Sequence, residues 1–142
     1  MKAIKTLLFM AVALAVLAHA GDPDWAAAKL AREAYGTVKT AERFTVGGVG
    51  YAGIPSRQEA AFRQLLKQSE PLAQCQKLLT EATPAGQLYG LLGLRLLDQQ
   101  AFQAALPRYK DAKTDIPTMS GCIVTHTTAA KLAKQIQNGE LK

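Results

Sequence analysis

The chain has 142 residues, with 17 Lys+Arg against 11 Asp+Glu and a net charge of +6. Beyond Lys2 and Lys5 its basic residues are scattered from Lys29 to Lys142, and the tightest group, Arg108, Lys110 and Lys113, has Asp111 in its middle. Nucleic-acid binding needs a concentrated basic face, often with interleaved aromatics, so this pattern excludes it.

The first twenty residues read MKAIKTLLFMAVALAVLAHA. Lys2 and Lys5 form a basic start, Leu7 to Ala18 an apolar run, and Ala18-His19-Ala20 a small-x-small cleavage site: the three parts of a secretory signal peptide. The run is shorter than the roughly 20 residues needed to span a bilayer. A lipoprotein anchor needs a cysteine directly after the cleavage point, and Gly21 and Asp22 stand there instead. We expect cleavage after Ala20, export to the periplasm or beyond, and one helical domain over residues 21–142 without a stable membrane span. Loss of Lys2 and Lys5 lowers Lys+Arg from 17 to 15 against 11 acids, leaving +4. That charge suits solubility, with weak attraction to acidic envelope polymers or lipid headgroups.

Asp22-Pro23-Asp24 marks a helix start, with Asp22 as N-cap and Pro23 in the first turn. The helix is expected to reach about Arg43, with a kink or break at Gly36. Phe44 to Pro55, FTVGGVGYAGIP, cannot be a stable helix, because four glycines interrupt it. It reads as an extended apolar loop or two very short strands. Without a lysine it is a poor phosphate loop. Glycine lets a ligand approach the backbone closely, so Val46, Gly47, Gly48, Gly50 and Tyr51 are candidate ligand or partner contacts. Ser56-Arg57-Gln58-Glu59 has the spacing of a capping box and opens a helix to about Gln68. Glu70-Pro71 opens another, in which Leu72, Cys75, Leu78 and Leu79 share the buried side.

Thr83 to Leu97, TPAGQLYGLLGLRLL, is expected to be the central helix, started by Thr83 as N-cap and Pro84. Gly86, Gly90 and Gly93 form a bare stripe along it. Each glycine costs roughly 0.5–1 kcal/mol relative to alanine, so close approach of a neighbouring helix is the expected compensation. The same stripe is a candidate partner or ligand contact. Asp98 caps a further short helix carrying Phe102 and Ala105. The fold class is therefore mostly α: a small single-domain helical bundle, or a short α-solenoid-like array of antiparallel helices. No internal repeat supports the second form.

Lys110 to Thr128 is the second irregular segment. Ile116-Pro117 forces an extended step, Ser120-Gly121 is a turn signal, and Cys122-Ile123-Val124-Thr125 is β-prone. We expect a strap along the helices, bolted by a Cys75–Cys122 disulfide. Such a bridge closes a loop of about fifty residues and contributes about 4 kcal/mol. Thr127 or Thr128 caps a final helix with Leu132, Ala133 and Ile136 inside and Gly139 at its stop.

His126 stands four residues after Cys122, and an imidazole beside a thiol can activate it. A bridged Cys122 has no thiolate to offer, and its β-prone setting differs from the helix start such nucleophiles favour. No metal-ligand spacing is present, no cofactor motif occurs, and no catalytic set is assembled. The reading is an exported, non-enzymatic binding protein of a bacterial-type envelope or the extracellular space, recognising a protein or envelope polymer. The alternatives are a small thiol enzyme or hydrolase using Cys122 and His126, or a carrier holding an apolar molecule between Val46–Ile54 and the glycine stripe.

Overall fold

A computed structural model describes residues 23–141. The expected signal peptide, the expected cleavage after Ala20 and the expected Asp22 cap lie outside the described residues. The chain divides into two units, Met1–Leu30 and Ala31–Lys142. In the first, the described residues are the opening turns of a helix, where the Lys29 ammonium stands 5.7 Å from the centre of the Trp25 ring.

The described residues are mostly α-helical, with two small antiparallel sheets. The helices are α1 (Pro23–Lys39), α2 (Arg57–Leu65), α3 (Pro71–Glu81), α4 (Pro84–Leu97), α5 (Gln99–Ala105) and α6 (Ala129–Asn138), with a 3-10 turn at Leu106–Tyr109. Strands β1 (Gly48–Val49) and β2 (Ile54–Pro55) form one hairpin, and β3 (Asp115–Ser120) and β4 (Ile123–Thr128) the other. No helix among the described residues is long and apolar enough to cross a membrane.

Helix α4 is buried on nearly every side, including Leu88, Tyr89, Leu91, Leu92 and Leu94. Its N-cap is the expected one: the Thr83 hydroxyl accepts from Gly86 N at 3.2 Å and donates to Ala41 O at 2.6 Å. The glycine stripe faces α3. A Cβ on Gly90 would lie 2.8 Å from the Cys75 carbonyl oxygen, and one on Gly93 would collide with Cys75 Sγ. Bare backbone thus lets the two helices close to a distance that a methyl group forbids, and burial of Cys75, Leu78 and Leu79 offsets the entropy cost of glycine. At the other end, a Cβ on Gly86 would stand 2.6 Å from Val38 O, where the C-terminus of α1 abuts the N-terminus of α4. Thr83 N donates to Lys39 O at 2.9 Å, which satisfies one of the orphan carbonyls of α1. Negative and positive helix ends meet there.

Three expectations need correction. Helix α1 runs unbroken through Gly36, because one glycine costs less than the burial of Ala34 and Val38 on its flanks returns. It stops at Lys39, short of Arg43. The strap is a β-hairpin, with β3 and β4 paired from Asp115↔Thr128 to Ser120↔Ile123 across a Gly121-Cys122 turn. Gly121 takes a left-handed φ of 55°, which suits the first central position of a type II′ turn. Finally, Cys75 and Cys122 form no disulfide: Cys75 is a free thiol enclosed between α3 and Gly93 of α4, whereas Cys122 is a free thiol exposed in the hairpin turn.

Candidate functional site

The two irregular segments meet. Beyond its own pairing, the β1–β2 hairpin joins the turn of the β3–β4 hairpin, with Val49 bridged in parallel to Gly121. Gly50 N donates to Gly121 O at 2.8 Å, and Gly121 N to Gly48 O at 3.3 Å. Further back, Phe44 N donates to Pro117 O at 3.0 Å. Residues 44–50 therefore run beside β3.

Two buried groups hold this segment. The Tyr89 hydroxyl bonds both main-chain polar groups of Thr45. Glu59, only 2% exposed, accepts from Gly47 N at 2.9 Å through Oε2 and from Arg63 at 2.6 and 3.0 Å through Oε1. The capping box is thus half used. Ser56 accepts from Glu59 N at 3.1 Å, but the Glu59 carboxylate turns to the glycine loop rather than back to its own helix start.

Between residues 44–46, the hairpin and α6 lies a groove of about 440 Å³. Phe44, Val46 and Leu132 give it apolar walls, and Thr118, Ser120, Thr125 and Thr127 give it hydroxyls. The Thr118 and Thr125 hydroxyls bond each other at 2.8 Å. Its ionisable lining is His126 and Lys131, with no carboxylate. Asp115 Oδ2 stands 2.6 Å from His126 Nδ1, which fixes the ring and leaves Nε2 for solvent or a ligand. A hollow of about 510 Å³ beside Gly36, Thr40 and Arg57 is larger, but it is an open surface depression that joins neither irregular segment.

Of the expected contact residues, Val46 lines the groove, Gly47 is tied to Glu59, and Gly48 and Gly50 make the joint between the hairpins. Tyr51 projects from the tip fully exposed. Gly86, Gly90 and Gly93 are buried against their own neighbours and offer no surface to a ligand. The space between Val46 and α4, where the carrier alternative would seat an apolar cargo, is about 50 Å³, far below the roughly 300 Å³ at which ligand pockets begin. Cys122 sits in the turn and His126 four residues along β4, a run of roughly 13 Å in extended chain, so thiol and imidazole are not a pair. Sequence reading missed Asp115, Glu59 and Tyr89 as holding groups. The available sign for the hairpin was the Ser120-Gly121 turn signal followed at once by the β-prone run Ile123-Val124-Thr125.

Fold and site together define a small, mostly helical protein that carries two tip-joined β-hairpins over a hydroxyl-lined groove. Comparison with known protein families, curated proteins and solved structures finds no match.

Proposed function

We propose that the chain is an exported, non-enzymatic binding protein of the cell envelope or extracellular space. Its partner, a protein or envelope polymer, meets the joined hairpins and the adjoining groove. The observation that carries this reading is the convergence of both irregular segments on one groove whose hydroxyls, imidazole and ammonium can bind but have no paired nucleophile. Hydroxyls over an apolar floor, with Lys131 and no carboxylate, favour neutral or acidic polar partners.

Two measurements test it. Protein recovered from its own host is expected to begin at Gly21 in an envelope or culture fraction; intact protein confined to the cytoplasm would end the export reading. Titration with solubilised envelope polymer, and separately with envelope proteins, is expected to shift NMR signals of Val46, Thr118 and Lys131. Thr125→Arg, which fills the groove, is expected to abolish those shifts, and shifts that survive it place binding elsewhere.

A further inference from the structure

The β3–β4 hairpin has two edges, and the fold treats them differently. Residues 44–50 run along β3, bonded at Phe44 N to Pro117 O and at the turn through Gly48, Gly50 and Gly121. Among the described residues no further strand lies beside β4, since the sheet has two members. Register fixes which groups that leaves. Pro117 turns its carbonyl to Phe44, away from β4, and is opposite His126; Met119 is opposite Val124. Antiparallel partners alternate between bonded and non-bonded pairs, so Pro117↔His126 and Met119↔Val124 are both non-bonded. Val124 and His126 therefore direct their own N–H and C=O outward, two residues apart. Among the described residues no hydrogen-bond partner stands on that side.

Natural edges are usually closed by proline, lysine, an inward charge or a bulge. The β4 sequence IVTHTT has no proline, lysine or carboxylate, and its pairing runs without a bulge. Ile123 and Val124 are 68% and 45% exposed beside it.

We propose that the β4 edge accepts an extended polypeptide segment of a partner protein as an added antiparallel strand, bonded to the main chain of Val124 and His126. This rests on the binding reading above and narrows the partner to polypeptide. The spacing selects it: N–H and C=O pairs repeating every second residue match an extended peptide backbone, and a polysaccharide has no such repeat. Area selects against a second copy. A strand of this length spans about 20 Å, so edge pairing alone covers a few hundred Å² at most, well below the roughly 800 Å² per partner of a stable association. A short segment that binds and leaves fits the available surface.

The probe is a short blocked peptide of alternating valine and threonine, with a second version N-methylated at alternate residues so that it cannot donate along one edge. Amide exchange at Val124 and His126 is expected to be fast in the free protein and slowed by the first peptide, and the methylated peptide is expected not to bind. Val124→Pro removes one outward N–H while leaving the inner ladder with β3, and is expected to weaken binding about tenfold. The methylated peptide gives the same reading on unaltered protein should that variant unfold. Equal binding of both peptides would overturn the proposal. So would protection of Val124 and His126 that rises with the concentration of free protein, which assigns the edge to a second copy. Envelope polymer that shifts Thr118 and Lys131 while the peptide leaves Val124 and His126 untouched overturns strand addition and keeps the binding reading. No response to peptide, envelope polymer or envelope protein sinks both.

Discussion

The hydroxyl of Tyr89 holds both main-chain polar groups of Thr45, donating to its carbonyl oxygen at 2.7 Å and accepting from its N–H at 3.0 Å. Tyr89 lies midway along the buried central helix, and Thr45 lies at the start of the glycine-rich segment beside the groove. The ring is itself fixed, tilted against Phe44 at 4.8 Å and Phe62 at 5.3 Å between centroids. The buried central helix thereby sets the path of one of the irregular segments.

Tyr89→Phe keeps the ring packing and leaves the N–H and C=O of Thr45 buried without that partner. A stability loss of about 1–3 kcal/mol is expected, the cost of stranding buried polar groups. Denaturant unfolding measures it, and faster exchange of the Thr45 amide localises it. An unchanged midpoint together with an unchanged Thr45 amide would show that the segment is held by other contacts.

Two glycines on helices should respond in opposite directions to the same substitution. At Gly93 an added methyl meets Cys75 Sγ and lies 3.4 Å from the Phe62 ring, so Gly93→Ala is expected to destabilise by about 1–3 kcal/mol. At Gly36 nothing lies within 4 Å, and Gly36→Ala is expected to stabilise by about 0.5–1 kcal/mol through helix propensity. Cys75→Ala should recover part of the Gly93→Ala loss, because it removes the colliding sulfur. Strict additivity of that pair in thermal or denaturant unfolding would refute the packing account.

This contrast also shows what the sequence could disclose. Gly86, Gly90 and Gly93 repeat at helical spacing within an apolar run, and local chemistry marks them as a seat for another helix. The caps at Thr83 and Asp98 were legible for the same reason, since each acts within three residues of itself, and the last cap was narrowed to Thr127 or Thr128, of which the structure uses Thr128. The partner of Cys75 was not legible. Two cysteines behind a signal-like N-terminal sequence suggest a bridge, yet the space beside Gly93 encloses one sulfur while the hairpin carries the other to the surface. The groove depended on pairings over long sequence distances, such as Gly50 with Gly121 and Tyr89 with Thr45. Spacing rules carry no information about those. The β3–β4 hairpin lay between these extremes: the Ser120-Gly121 turn signal was visible in the sequence, but not that Pro117, which has no N–H, would stand opposite His126 with its main-chain groups directed away from β4.

Glu59→Gln tests the second hold on the glycine segment. A carboxylate can accept from Gly47 and Arg63 at once, whereas an amide must point its NH2 at one of those donors. A loss of about 1–3 kcal/mol is expected, with faster exchange at the Gly47 amide. If the Gly47 amide exchanges as before, the carboxylate steadies Arg63 alone and the segment owes its path to Tyr89.

The two thiols should behave as different substances, and alkali should separate them further. Cys122 is exposed in the turn, so an alkylating reagent is expected to modify it in the native protein at the rate of an open thiol. Cys75 should react only on unfolding, because the helix pair encloses it and burial pushes its pKa from 9.0 up to about 12. Burial likewise raises the Tyr89 hydroxyl from 10.0 to about 12. A group whose folded pKa lies above its ordinary value supports folding fully below that ordinary value and loses its contribution as pH climbs toward the folded one. Stability is therefore expected to hold up to about pH 9 and to fall from there toward pH 12, first through Cys75 and then through Tyr89 as well. Denaturant midpoints taken across that range should decline, and Cys75→Ala should flatten the decline in its lower part while Tyr89→Phe flattens the upper part. A decline of the same shape in both variants would mean that neither buried group governs it, and modification of Cys75 in native protein at the rate of Cys122 would show that the helix pair opens at the glycine stripe.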